Sequence, residues 1–240
     1  DLGWERKNIA SINLLYPDND FEAIADKIRQ FSCTREVVTG HCCLLPKSSG
    51  FSQTFDNWDG KEDATKSIDM LCLWNCEKTV SFYNLKLLEG EIVKPTETNS
   101  IMINESAVKA LGMSDPIGKK LYQKGRTWTI VGIIKAFHIT APTEPVQPYT
   151  LVAVDILKDI GFSLGKGQIL IKFHDGKWKE LRNRIDSIFS REYPEVRYRL
   201  YNTAEEYAGY LKSEDALIKL LSFIAIVCML IAAFGIFSLV

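Results

Sequence analysis

The last 21 residues, Leu220 to Val240, carry no charged side chain, and thirteen of them are Leu, Ile, Val or Phe. At about 1.5 Å per residue, a helix over this run spans roughly 30 Å, the thickness of a bilayer's hydrocarbon core. On an insertion scale the thirteen contribute on the order of −4 to −8 kcal/mol, against small costs from Ser222, Ser238 and Gly235. A buried helix of a water-soluble protein is usually shorter. The segment 220–240 is therefore read as a transmembrane helix that is still apolar where the chain stops. Everything before it has the mixed texture of a water-exposed globular domain.

Lys plus Arg number 29 and Asp plus Glu 30, with no block of like charge, so the chain lacks the electrostatic footprint of a nucleic-acid binder. The start, Asp1-Leu2-Gly3-Trp4, is neither a signal peptide nor a methionine start. An exported domain ahead of a span needs an upstream signal or helix, so the chain is expected to be part of something longer. Five of the six cysteines lie outside the apolar run: Cys33, Cys42, Cys43, Cys72 and Cys76. Three readings stay open for them. They are candidate disulfide cysteines in an oxidising compartment, small core hydrophobes, or, with His41, soft zinc ligands at poor spacing.

Two distant stretches share one pattern. Asn8–Leu15 alternates as a strand, Pro17–Asp20 turns the chain, and Asp20 caps a helix with Phe21, Ile24, Ala25, Ile28 and Phe31 on one face. A second strand follows over Arg35–Leu45. Later, Gln168–Phe173 alternates, and His174-Asp175-Gly176 turns. A helix with Trp178, Leu181, Ile185, Ile188 and Phe189 on one face runs to Arg191, and Val196–Tyr201 alternates again. Two β-α-β units so far apart predict one α+β subdomain split by an insertion. Residues 7–45 and 166–202 would be its halves, and 46–165 the insertion.

The insertion reads as mainly β. Lys47–Asp59 looks like a loop, Ile68–Leu73 a strand, and Val80–Leu88 a short helix or turn ending at Gly90. Ser100–Ile103 is a strand, Asn104 caps a helix over Glu105–Leu111, and Gly112 ends it. Trp128–Ile134 and Tyr149–Val154 are strands. Between them Pro142, Pro145 and Pro148 impose an extended crossover.

A capping box, Thr203-x-x-Glu206, predicts that a helix begins near Ala204. Tyr207, Leu211, Ile218 and Leu221 fall near heptad spacing, with Tyr210 and Leu217 beside them. No Gly or Pro interrupts the chain from Tyr210 to Phe234. One rigid helix should leave the domain as a stalk over 203–219 and enter the membrane unbroken. Such a connection transmits displacement.

Catalytic and cofactor motifs are missing. There is no phosphate-binding glycine loop, nucleophile elbow or H-E-x-x-H, and Gly165-Lys166-Gly167 reads as a turn. His41, His138 and His174 lack partner motifs. Asp155 and Asp159 read as a solvated face, and Asn104-Glu105-Ser106, a glycosylation pattern, sits on a helix start. No catalytic residue, cofactor site or metal site is assigned.

Four motifs carry a resemblance. They are Asn104-Glu105-Ser106-Ala107-Val108-Lys109-Ala110-Leu111-Gly112, Asp115-Pro116-Ile117-Gly118-Lys119, Trp128-Thr129-Ile130-Val131-Gly132-Ile133-Ile134-Lys135-Ala136-Phe137-His138 and Glu144-Pro145-Val146-Gln147-Pro148. In this order they resemble the periplasmic core of MacB/FtsX-like ABC transporter permeases of the Bacteroidetes kind. Ser213-Glu214 and Phe234-Gly235-Ile236-Phe237 resemble that family's second membrane helix. Ala136 departs from the pattern, where the family often has Asp, and so does the Cys-rich first third.

The resemblance implies a split porter-like α+β subdomain with an inserted, Sabre-like β subdomain, between the first and second of four membrane helices. Asn104, Glu105, Gly112, Asp115, Pro116, Gly118, Gly132 and Pro145 then have architectural roles. It also implies a bacterial inner-membrane protein facing the periplasm, working with a cytoplasmic ABC ATPase. The permease would pair as a homodimer or with a paralogue, and could meet a periplasmic or outer-membrane partner. ATP-driven motion would pass through Thr203, Glu206, Tyr207, Tyr210, Leu211, Leu217, Ile218 and Leu221 to move lipoproteins, peptides or drugs. The competing reading is a membrane-anchored, ligand-sensing ectodomain of a receptor.

Overall fold

The computed structural model describes residues 3–14, 21–40, 44, 51–74, 76–123, 125–140, 142–153 and 168–237, with side chains at 21, 40, 51, 76, 213–215 and 232–237 excepted. The expectations placed on 17–20, His41, Cys42, Cys43, 45–50, 154–167 and the side chains of Cys76 and Glu214 lie outside these residues.

Two sheets organise the chain, and the first draws on both of its ends. Strands β1 (Ile9–Leu14), β2 (Thr34–Gly40), β11 (Gln168–Phe173) and β12 (Tyr198–Asn202) form a four-stranded sheet in the order β12-β1-β11-β2. Every neighbouring pair is antiparallel. Helix α1 (Phe21–Arg29) links β1 to β2, and helix α4 (Trp178–Glu192) links β11 to β12. Each β-α-β unit thus places its two strands around a strand of the other, the split arrangement of a ferredoxin-like fold. Neither unit completes the sheet alone.

Period-two alternation decides the two faces. Ala10, Ile12 and Leu14 of β1 with Ile169, Ile171 and Phe173 of β11 pack on Ile24 and Ile28 of α1 and on Leu181, Ile185 and Phe189 of α4. Ile9 and Leu170 point the other way, into a second core shared with the larger sheet.

That larger, eight-stranded sheet comes from the intervening sequence, in the order β3-β5-β10-β7-β9-β8-β4 with β6 also on β9. Its strands are β3 (Phe51–Phe55), β4 (Asn57–Trp58), β5 (Ile68–Trp74), β6 (Leu87–Gly90), β7 (Ser100–Asn104), β8 (Lys120–Gln123), β9 (Arg126–Ile134) and β10 (Tyr149–Val152). Only Asp56 separates β3 from β4, so the sheet curls until its ends meet. Inside the curl Phe55, Trp58, Met70, Ile101, Leu121, Trp128 and Ile130 pack on Ala107 and Leu111 of helix α3 (Glu105–Leu111). The fold is α+β, with one β-rich unit inserted in a split unit.

Several local expectations change. Phe51–Phe55 is a strand rather than part of a loop. The helix expected over Val80–Leu88 is α2, Cys76–Phe82. Asn84 ends it by adopting φ 54°, and Leu85 N–H closes back on Val80 O at 2.9 Å. Gly90 serves the β6–β9 pairing instead, where a Cβ would lie 2.1 Å from Val131 O. Cys33 and Cys72 are free, and they fill two different cores. Burial pushes the Cys72 thiol up to about 12 and raises that of Cys33 as well.

Candidate functional site: the base of the long helix

Helix α5, Thr203–Phe237, runs unbroken for 35 residues. The expected capping box does not form. Asn202 Oδ1 instead accepts the Ala204 N–H at 3.0 Å, while the buried Thr203 Oγ1 has no partner and Glu206 is exposed. Asn is as good a cap as Thr, and one position earlier it serves the same free N–H groups.

The candidate coupling residues divide into two groups. Thr203 and Tyr207 are buried, and Leu211 packs on the core between the two sheets. Leu217, Ile218 and Leu221 are exposed at 58%, 55% and 57%. From Leu217 to Ile231 large apolar side chains stay exposed on all sides of the helix. Among the described residues no helix is long and apolar enough to cross a membrane.

The helix stands on the crossover between β9 and β10. Tyr207 donates its hydroxyl hydrogen to Thr140 O at 2.7 Å, and Tyr210 donates to Glu144 Oε1 at 3.2 Å. The expected extended crossover instead bends at Ile139 and Thr140 and turns at Pro142 and Thr143, and the two tyrosines of the helix meet polar groups of this bent stretch.

Helix α3 supplies much of that support. Asn104 is fully buried, and its Oδ1 accepts from Ala107 N and Tyr149 N, both at 2.9 Å, while its Nδ2 donates to Gln147 O at 2.9 Å. One side chain therefore caps α3 and fastens the far end of the crossover to β7. The same burial removes it as a glycosylation acceptor in the folded chain. Glu105 Oε2 accepts from Ala136 N at 2.8 Å and fixes the near end. Gly112 closes α3 at φ 72°, with Met113 N–H reaching Val108 O, a Schellman closure.

The remaining motif residues anchor β9. Asp115-Pro116-Ile117-Gly118 forms a turn in which Gly118, at φ 81°, donates its N–H to Ile130 O at 2.7 Å. Gly132 lies where β6 crowds β9, and a Cβ there would meet Glu91 O at 2.3 Å. Pro145 lies in the crossover beside Glu144. Tyr149 closes the set, its ring 5.1 Å from that of Phe137. Burial pushes its phenol up to about 12 despite the opposing Ile139 N–H.

Sequence reasoning missed Trp4, Glu5 and Arg6. Trp4 Nε1 donates to His138 O at 2.6 Å, across 134 residues of sequence. No local pattern marks such a contact. His138 contributes its backbone carbonyl to Trp4, and His174 donates its backbone N–H to Cys33 O at 2.9 Å. Among the described residues no group of three His, Cys, Asp or Glu could hold a metal ion. Chemically the site is a set of fixed contacts between one helix and the domain beneath it.

Solved structures share this fold, among them three membrane-transport domains. The periplasmic region of MacB from Actinobacillus actinomycetemcomitans matches over 83% of this chain and 91% of its own, at 14% identity and TM-score 0.53. A domain of a Porphyromonas gingivalis protein described as a permease matches over 82% and 91%, at 13% identity and TM-score 0.56. The extracellular domain of the noncanonic ABC-type transporter YknZ from Gram-positive bacteria matches over 80% and 100%, at 13% identity and TM-score 0.50. No family model and no curated protein matches the chain. The chain has the fold of a MacB-like periplasmic domain.

Proposed function

We propose that this chain is the extracytoplasmic domain of an ABC transporter permease, and that it relays the work of cytoplasmic ATP hydrolysis to a cargo outside the membrane. One observation carries the reading. A single continuous helix is bound at its base to the domain by Tyr207, Tyr210 and Leu211, while its upper part exposes apolar side chains on every side. Such a surface is unfavourable in water and suits lipid or a neighbouring helix. The likeness in fold to permease domains supports the same reading.

On this proposal residues 220–240 span the inner membrane and 203–219 form the stalk. Residues 7–45 and 166–202 are the porter-like halves, and 46–165 the Sabre-like insertion. The ATPase is a separate cytoplasmic subunit or domain, and the permease works as a homodimer or with a paralogue. Lipoproteins, peptides or drugs are the cargo classes. A periplasmic or outer-membrane protein receives them. The domain contributes motion and no chemistry of its own.

The test is to insert Gly-Gly-Pro after Lys212 in the whole transporter, which breaks helical continuity between the two groups of coupling residues. Transport should be lost while ATP hydrolysis continues. A transporter that works normally with the break would refute the proposal.

A further inference from the structure

Residues 3–6 touch four parts of the molecule within one short segment. Trp4 is buried, with its indole N–H on His138 O of the crossover at 2.6 Å and its ring 5.5 Å from Tyr83 beyond α2. Glu5 donates its backbone N–H to Tyr83 O at 3.0 Å. Its carboxylate meets Lys172 Nζ of β11 at 3.2 Å. The Lys172 side chain is 12% exposed, and its ammonium also meets Glu36 of β2 at 3.2 Å over the Phe82 ring. Arg6 then lays its guanidinium 4.8 Å from the centre of the Tyr207 ring, on the first turns of α5. The segment therefore contacts the split sheet, the turn that follows α2, the crossover and the long helix.

We propose that residues 3–6 are a strap that locks the base of α5 to both sheets, so that motion of the helix reaches the domain only while the strap is seated. The geometry favours this over a simple lead-in to β1. A lead-in needs no side chain directed at a helix two hundred residues later, whereas Trp4 binds the crossover under that helix and Arg6 binds the helix itself. Tyr207 links the crossover to Arg6, its hydroxyl on Thr140 O and its face under Arg6. Loosening the strap at either residue should loosen both the crossover and the first turns of α5. The strap rests on the reading of α5 as the force-bearing element.

The test is hydrogen exchange of the whole permease in lipid nanodiscs, comparing wild type with Arg6→Gln, Arg6→Lys and Trp4→Phe. Arg6 is exposed, so its substitutions leave the core intact. An exposed cation over an aromatic ring is worth a factor of about 2 to 5 in an equilibrium. Arg6→Gln should therefore speed exchange in residues 203–211 by about that factor, and Arg6→Lys should restore wild-type rates. Trp4→Phe keeps most of the ring and strands His138 O, so exchange should rise in residues 138–144 and 203–211 together. Faster exchange confined to residues 3–8 would overturn the strap, as would equal effects of Gln and Lys at position 6. Linked exchange with undiminished transport in the same variants would leave the strap standing and count against the relay of force.

Discussion

Replacing Asn104 by Ala removes three hydrogen bonds made by one buried side chain. Losing the cap of α3 costs about 1 kcal/mol. The Tyr149 N–H is left in a buried position without a partner, which costs about 1–3 kcal/mol. Gln147 is exposed, so its carbonyl regains water and adds less. Together the loss is about 2–4 kcal/mol, which corresponds to roughly 30- to 1,000-fold in a local opening equilibrium. Hydrogen exchange on the whole permease reads this directly. Amides of Tyr149–Val152 and Ser100–Asn104 should exchange faster by that factor, with little change in β1 and β11 of the other sheet. Glu105→Gln is the control, because an amide oxygen still accepts from Ala136 N, and its effect should stay under about tenfold. An increase under tenfold for Asn104→Ala, or one limited to α3, would refute the reasoning that this residue fastens the crossover under the helix.

Two of the three motif glycines separate clash from backbone strain. Gly132→Ala brings a Cβ to 2.3 Å from Glu91 O and should prevent β6 from pairing with β9, abolishing exchange protection in β6. Gly118→Ala meets nothing within 4 Å and should cost only the left-handed backbone, about 1 kcal/mol by thermal unfolding. Cys72, with its thiol pushed up to about 12, should resist maleimide at pH 8 in the folded chain, with Cys33 protected by burial too, as mass spectrometry would show. Alkylation of either at the rate of a free thiol would contradict the packed cores. The Lys120 N–H and the Tyr122 hydroxyl hold the Asp59 carboxyl below its ordinary value. Its contribution to the β4–β8 pairing is present above the unfolded value of about 3.9 and is lost as pH falls through the lower folded one. An NMR titration of Asp59 that matched a free aspartate would count against this.

Much of the fold was legible because it is written in local periodicity. The alternation in β1 and β11, the Asn104 cap, the Gly112 closure and the turn at Gly118 each depend on neighbours within a few residues. Where two local signals competed, the reading slipped. Asn84 stopped α2 before Gly90 could, because a short polar side chain tolerates the left-handed conformation. Asn202 took the capping role from Thr203 for a different reason, because its side-chain oxygen reaches the Ala204 N–H. The β3 strand was hidden because its polar face, with Ser52 and Thr54, resembles its loop flanks. The junction beneath α5 was only half legible. Tyr207, Tyr210 and Leu211 followed from helical spacing, but Trp4, Glu5 and Arg6 reach their partners through the fold, and no spacing records that.

Electron–electron spin distances across the base of α5 show whether the helix and the domain move as one body. Labels at Thr143 on the crossover and Lys212 on the helix, in a cysteine-replaced permease with its ATPase, would be followed through nucleotide binding and hydrolysis. If the helix drives the domain as one rigid piece, the Thr143–Lys212 distance stays unchanged while the distance from Thr143 to the same site on a partner permease shifts. A Thr143–Lys212 distance that changes while the domain stays still would contradict the account.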